Sequence, residues 1–488
     1  MCAQRRDFNR IGLVPCFLVL LFFIGTGFAQ ITWQKTYGGA GGEKGFCVDQ
    51  TFDGGYIIVG VTTSFGNAGQ VYLIKTDSLG DTLWTKVYGD VGYEWGYFVE
   101  QTADGGYIIA GATNSFGNGY QIYLIKTDSL GDTLWTKTYG DTTNEYGRSV
   151  QQTMDGGFIV VGSGYGGEVY DPVYLIKTDS IGNILWSKIY QSGEGFYVRQ
   201  TTDGGYVIAA HSLNMQAYLI KTNSSGDTLW TKTYGSTTSA WEYIYAAHQT
   251  TDYGFICVGY ASNFYPEYTQ IYLVKTDSLG DTLWTRLYGD VGNSAIEGFS
   301  VQQTYDGGYI VAGITSAIGF VDIYLVKVDS VGDSVWSKTY GGADIDWGHY
   351  VQQTSDSGFI IVGHTLSFGN NRQIYLIKTD KDGNVAGIGE TGRQGDGETR
   401  RLEVYPNPFR NRLDIRYQIG DKGQKISLKI YDVTGRLVKS FNHLTIRPFN
   451  HVVWDGKDDF GRRLPAGVYF CRLEIDETVV ATKVVELE

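Results

Sequence analysis

Cysteine, proline, methionine and histidine are all scarce in this chain of 488 residues, at 5, 7, 3 and 6 copies. Beyond the first 29 residues the cysteines are Cys47, Cys257 and Cys471, an odd number scattered too widely for a disulfide framework or a zinc spacing. Each is expected to act as a small buried apolar side chain. His211, His349 and His364 stand alone, without metal-ligand spacing. No Gly-x-Ser-x-Gly, His-Glu-x-x-His or phosphate-loop pattern occurs, so the residues call for no cofactor and no metal. Positive charge is also short: residues 30–401 carry 22 Lys and Arg against 39 Asp and Glu, a balance of −17, whereas residues 402–488 carry 14 against 12. An acidic body repels phosphate backbones and anionic lipid, which argues against nucleic acid and membrane surfaces as partners.

What is abundant is glycine, tyrosine and tryptophan, at 67, 37 and 11 copies. With Thr-rich apolar runs, this composition suits many short strands separated by glycine turns. Residues 1–29 stand apart. Arg5, Arg6 and Arg10 precede an apolar run from Ile11 to Ile24, and Gly27-Phe28-Ala29 precede Gln30. That pattern predicts a secretory signal peptide cut between Ala29 and Gln30, because the run is short for a membrane span of about 20 residues. Cys16 lies inside the run, where a lipid-anchored cysteine would follow it. No transmembrane segment is expected after the signal is removed.

Internal repetition carries the fold. Tryptophan recurs at 33, 84, 135, 186, 230, 284 and 336, in phrases like Asp-Thr-Leu-Trp-Thr-Lys-Thr-Tyr-Gly, with spacings of 51, 51, 51, 44, 54 and 52. An Asp turn at Asp53, Asp104, Asp155, Asp203, Asp252, Asp306 and Asp356 runs in step, each followed by Gly and an aromatic. Residues 97–140 show four strand-like runs per unit: Tyr97 to Thr102, Tyr107 to Thr113, Gln121 to Thr127 and Thr133 to Tyr139. The second and third are apolar on both faces, as in sheets packed face to face.

Seven such units predict a seven-bladed β-propeller. The last unit lacks its Trp-bearing strand, and Ile31 to Tyr37 supplies one, so the N-terminal strand closes the last blade; a solenoid would need polar caps instead. The phrase Tyr-Leu-Ile-Lys-Thr-Asp-Ser-Leu-Gly-Asp-Thr-Leu-Trp also resembles the repeats of quinoprotein propellers, although its Asp-to-Gly spacing is one residue shorter.

Candidate chemistry lies at a few positions. A Gln closes the first strand of every unit, at 50, 101, 152, 200, 249, 303 and 353, and is expected to bond loop or neighbouring-blade backbone. The residue before it differs: Asp49, Glu100, Gln151, Arg199, His248, Gln302 and Gln352. If these side chains face the channel, Asp49, Glu100, Arg199 and His248 form a cluster fit for acid–base work or ion binding; otherwise they are polar residues around a water-filled channel. Turns such as Asp77-Ser-Leu-Gly-Asp81 are too short for an EF-hand and read as Asx turns. Loops between second and third strands, including Ser64 to Gln70, Gly164 to Pro172 and Asn263 to Gln270, set Tyr and Phe among small polar residues that suit sugars or peptides.

The domain plan is a signal peptide at 1–29, the propeller at 30–380, a Gly-, Glu- and Arg-rich linker at 381–401 and an Ig-like β-sandwich at 402–488. In the last part, Tyr405-Pro-Asn-Pro-Phe409, Ile430-Tyr-Asp-Val-Thr-Gly-Arg436, Pro465-Ala-Gly-Val-Tyr469 and the late Lys483 resemble the type A sorting domain of the type IX secretion system. Trp454-Asp-Gly-Lys-Asp-Asp-Phe-Gly461 resembles the Ig-like domain of the flagellar hook scaffold protein FlgD. The resemblance implies delivery to the outside by the secretion machinery, with Pro465, Gly467, Tyr469 and Lys483 as the sorting motif. Two readings of the propeller follow: a secreted or surface-held module that binds glycan or protein, and an extracellular enzyme acting on polysaccharide or another polymer.

Overall fold

A computed structural model describes residues 31–385 and 401–486, apart from 118, 141–143, 166–171, 191–192, 213–215, 236–239, 265–266, 290–294, 317–319, 370, 406–411, 419–425, 433–435, 442–449 and 476–477. The expected signal peptide with Ala29 and Gln30, most of the linker and most of the loop from Gly164 lie outside the described residues. Every described element is a strand, and no described helix is long and apolar enough to cross a membrane.

Seven four-stranded antiparallel sheets follow one another along the chain. Blades 1 to 6 span residues 43–88, 94–139, 144–190, 195–234, 240–288 and 296–340; blade 7 combines 346–379 with Trp33–Tyr37. In blade 7 the N-terminal strand pairs with Gln373–Thr379, Trp33 opposite Lys378 and Tyr37 opposite Ile374. The chain therefore forms a seven-bladed β-propeller closed by its own first strand. First strands of neighbouring blades touch around the ring and line the axis. Second strands such as Tyr107–Thr113 are buried at every position, since blades cover both faces.

Three repeated devices join blade to blade. Each outer-strand Trp packs against the aromatic that opens the next blade's second strand, from Trp33–Tyr56 to Trp336–Phe359, with centroids 5.7–6.0 Å apart. Four residues after each outer-strand Trp, a Tyr hydroxyl donates to the next blade's turn carbonyl, as Tyr37 does to Gly80 and Tyr88 to Gly131, both at 2.7 Å. Each closing Gln accepts, through Oε1, a backbone N–H from the preceding blade's first turn at 2.8–2.9 Å; Ser355 to Gln50 completes that ring.

Inside each blade the Asp of the first turn receives a Lys from the third strand, as Lys126 to Asp104 at 2.9 Å, and all seven such pairs fall at 2.8–3.1 Å. The Lys side chains are only 3–7% exposed, so the pair ties the two hairpins of a blade together. The Asp77 turn bonds its own backbone: Leu79 and Asp81 N–H both donate to Asp77 Oδ1 at 2.9 and 2.8 Å.

The C-terminal unit holds a three-stranded sheet of Arg401–Tyr405, Leu413–Gln418 and Asn450–Trp454, and a four-stranded sheet in the order Leu437–Phe441, Ile426–Asp432, Gly467–Ile475, Thr478–Glu486. The strand Leu437–Phe441 is five residues long and only Val438 in it is buried. Its core includes Leu428, Ile430, Cys471, Leu473 and the fully buried Trp454. Trp454 meets Tyr469 edge-on at 5.3 Å, and the Tyr469 hydroxyl donates to the Pro465 carbonyl at 2.5 Å. Gly467 opens the strand that pairs with the one carrying Lys483, whose register partner is Phe470.

Glycine is required twice over in the outer turns. Gly131 has φ of +77° and a Cβ there would stand 2.8 Å from the Trp84 ring, whereas Gly105, at +81°, has nothing within 4 Å of a Cβ. Gly105→Ala should cost about 1–2 kcal/mol from backbone strain alone. Gly131→Ala should cost about 1–3 kcal/mol more by wedging the blades apart, a difference that paired denaturant titrations will measure.

Candidate functional site

The axis is built from the first strands, and all seven share one irregularity. The pairing of first with second strand skips a residue at the same place in every blade: 46, 97, 148, 196, 245, 299 and 349. A β-bulge re-aims the extra side chain. Here the extra residues are Phe46, Tyr97, Arg148, Phe196, Tyr245, Phe299 and His349, all half-buried.

These bulge residues stand shoulder to shoulder. Ring centroids lie 5.0 Å apart for Phe196–Tyr245, 5.3 Å for Tyr245–Phe299, 6.0 Å for Phe299–His349, 5.1 Å for His349–Phe46 and 5.4 Å for Phe46–Tyr97. The Arg148 guanidinium continues the run, 4.9 Å from the Tyr97 centroid. Two residues earlier in the strands come Lys44, Trp95, Tyr146, Glu194, Tyr243, Glu297 and Trp347. Trp95 stacks with Tyr97, Trp347 with Phe299 and His364, and Tyr243 with Tyr260. An aromatic collar thus surrounds one end of the axis. It lies on the face bearing the loops after the second strands, where Thr63 N–H donates to the Gly42 carbonyl at 3.0 Å. Of the loop rings flagged in the sequence, Phe65 packs on Tyr72 of its own blade, 5.5 Å between centroids.

One step further in, Cys47, Phe98, Ser149, Tyr197, Ala246, Ser300 and Tyr350 occupy equivalent places. The three large ones come from blades 2, 4 and 7 and meet edge-on, Phe98 at 5.8 Å from both Tyr197 and Tyr350. Three rings from well-separated blades thus meet across the middle of the axis and plug it.

Beyond the plug lies the polar cluster. Asp49 accepts the Gln101 N–H through Oδ2 at 2.9 Å and Glu100 accepts the Gln152 N–H at 3.3 Å. Gln151, Gln302 and Gln352 do the same for Gln200, Gln353 and Gln50 at 2.6–2.7 Å. Five of the seven asymmetric residues are therefore clasps between blades. Arg199, which only donates, and His248, whose Nε2 is taken by the Tyr197 hydroxyl, turn to the plug instead. The Arg199 guanidinium lies 4.3 Å from the Tyr197 ring and 4.8 Å from Phe98, with its Nη2 4.0 Å from Glu100. His248 Nε2 bonds the Tyr197 hydroxyl at 2.8 Å. The structure thus brings Asp49, Glu100, Arg199 and His248 to one end of the axis, with both carboxylates already engaged by backbone. Burial pushes the Glu100 carboxyl up to about 7 against the pull of Arg199, and burial with Arg199 holds His248 down to about 3.

Sequence spacing missed the contact between His349 and His364, whose Nε2 and Nδ1 lie 3.2 Å apart across paired strands. Trp347 stands directly opposite His364 in that pairing, and the bulge carries His349 alongside. Among the described residues no group of three or more His, Cys, Asp or Glu is placed to hold a metal. Cys47, Cys257 and Cys471 are buried free thiols, Cys257 and Cys471 both pushed up to about 12 by burial.

Because the Glu100 proton is held more tightly in the folded state, its stabilising contribution is complete below the ordinary carboxylate range, near pH 4.5, and disappears as pH rises through about 7. Glu100→Gln keeps the clasp acceptor and removes the charge. It should raise stability by about 1–3 kcal/mol at pH 8 and leave it unchanged near pH 4, as thermal melts at the two values will report.

A family model described as the secretion system C-terminal sorting domain matches residues 403–486. No curated protein matches the chain in sequence. Among solved structures, PorZ, described as an essential surface component of the type-IX secretion system of Porphyromonas gingivalis, aligns at 13% identity and TM-score 0.41, covering 88% of this chain and 58% of that one. A puromycin hydrolase aligns at 13% identity and TM-score 0.48, covering 77% and 58%, and the Dos1 propeller at 11% and 0.42, covering 68% and 77%. The chain spans little more than half the length of PorZ and of the hydrolase. Blade count and closure rest on this chain's own sheets. The protein is a seven-bladed propeller that carries a type IX secretion C-terminal sorting domain and is exported to the cell surface or beyond.

Proposed function

We propose that the propeller is a binding module that takes an extracellular glycan at the aromatic collar. The observation that carries this reading is the near-continuous run of half-buried rings from Phe196 through Tyr245, Phe299, His349 and Phe46 to Tyr97, on the loop-bearing face. Sugars present flat patches of C–H that pack on aromatic faces, while flanking polar groups orient the hydroxyls. The sorting domain delivers this surface to where such polymers are met. On this reading Pro465, Gly467, Tyr469 and Lys483 engage the secretion machinery, and an N-terminal signal peptide ending at Ala29 begins the export.

The enzyme reading rests on Asp49, Glu100, Arg199 and His248. Asp49 and Glu100 each accept a backbone N–H of the next blade, which favours a role in holding blades together over one in proton transfer. Glu100, with its carboxyl near 7, is the group an enzyme would use.

Both readings are tested by incubating the full chain with a panel of extracellular polysaccharides while measuring retention and released products. Trp95→Ala and Tyr245→Ala are expected to cut retention at least about tenfold, a loss of about 1.4 kcal/mol, with no products formed. Product release that vanishes with Glu100→Gln would replace the binding reading with the enzymatic one.

A further inference from the structure

The basic residues of the propeller fall into two groups. One group repeats with the blades. Seven Lys pair with the first-turn Asp, and Lys35, Lys86, Lys188, Lys232 and Arg286 pair with an Asp of the next blade's outer turn, where Lys137 and Lys338 meet Asn. Arg199 faces Glu100 at the far end of the axis. The other group is Lys44, Arg148 and Arg372, which have no equivalents from blade to blade, and all three border the collar.

None of these three has a carboxylate within ion-pair distance among the described residues. The Lys44 Nζ sits 5.8 Å from the Trp95 ring centroid, and Arg148 lies between the Tyr97 and Tyr146 rings at 4.9 and 5.3 Å. The Nε atoms of Arg148 and Arg372 are buried without a hydrogen-bond partner. Arg372 belongs to the segment that leads into the third strand of blade 7, and its carbonyl accepts the Glu43 N–H at 2.9 Å, which seats it beside Lys44. His349 and His364 complete the sector.

Their electrostatics agree with that geometry. Burial and then Arg372 lower the Lys44 ammonium; burial and then Lys44 hold His349 at about 3; burial, His349, Arg372 and Lys44 hold His364 at about 2. Positive groups thus raise one another's cost where blade 7 meets blade 1, in a body whose balance is −17 over residues 30–401. Desolvated cations without counter-charges are costly to fold and gain most from an arriving anion.

We propose that the blade 7–blade 1 sector of the collar recognises sugar units bearing a carboxylate or sulfate, so that the ligand is an acidic polysaccharide. Lys44 and Arg372 meet the anionic group, and Phe46 and Trp95 beside them cover the sugar ring. This inference rests on the glycan reading of the collar and narrows it to one charge class.

The test is direct binding of the full chain to neutral cello- and malto-oligosaccharides, to oligogalacturonate, to chondroitin sulfate oligosaccharides and to polyglutamate, at low and high salt. The acidic sugars should bind at least roughly tenfold more tightly than neutral ones, weaken as salt rises, and lose roughly tenfold with Lys44→Met or Arg372→Gln. Lys137→Met, on the outer rim, should change nothing. Oligogalacturonate binding with chondroitin sulfate silent, or the reverse, assigns the anion as carboxylate or sulfate. Neutral sugars binding as tightly, without dependence on salt, would overturn the charge assignment and leave the collar reading standing. Polyglutamate binding as well as the sugars would overturn the sugar assignment, and no sugar bound at all would remove both. The salt response of the unaltered chain decides the matter even if a variant fails to fold.

Discussion

A ring of sheets holds together only if it has no seam, and here five residues, Trp33–Tyr37, remove it. By pairing with Gln373–Thr379 they turn a three-stranded remnant into a full blade. Every inter-blade device then passes through the junction unchanged: Trp33 packs on Tyr56, the Tyr37 hydroxyl reaches Gly80, and Ser355 N–H finds Gln50. Each contact is modest alone, about 1 kcal/mol for a typical hydrogen bond. Sevenfold repetition without a weak link makes the set cooperative, and an open ring would leave two apolar sheet faces and a strand edge to water.

That sevenfold regularity is also what makes departures from it informative. Positions that hold the blades together or brace each one repeat in kind: Trp, Tyr and Gln between blades, and the Lys–Asp pair within each. Positions facing the axis do not. At the level of the clasps, Asp, Glu and Gln serve equally because each offers an oxygen, and Arg199 and His248 fall outside the set because they offer none. At the plug, Phe98, Tyr197 and Tyr350 take the space that Ser149, Ala246 and Ser300 leave. At the collar the bulge residues vary most, and there the molecule places its unpartnered cations.

The fold was legible because its signals are local and recur. Trp84, the Asp104 turn and Gln101 each mark a fixed place in a unit of about 50 residues, and the short count of strands in the last unit pointed to closure. The Asx turns were readable for the same reason. The collar was not. A bulge leaves no mark in composition, and Phe46, Arg148 and His349 share no residue type that would align them by eye. What joins them is their distance from the closing Gln, four residues upstream in every blade. His349 and His364 lie 15 residues apart in sequence and meet only through pairing of their strands. The Asp49 to His248 group was found because it adjoins the Gln marker, yet its use as backbone clasps depends on a neighbour's N–H, which no single repeat contains.

The direction of the closing strands has a consequence for how the molecule stands. Gln373–Thr379 begins beside the collar and ends at the far face, and Trp33 lies opposite Lys378, so the chain both enters and leaves the propeller on the side away from the collar. A propeller moored through whatever follows residue 385 is therefore held by its back. Its ring of aromatic side chains lies on the opposite face, clear of the point of attachment.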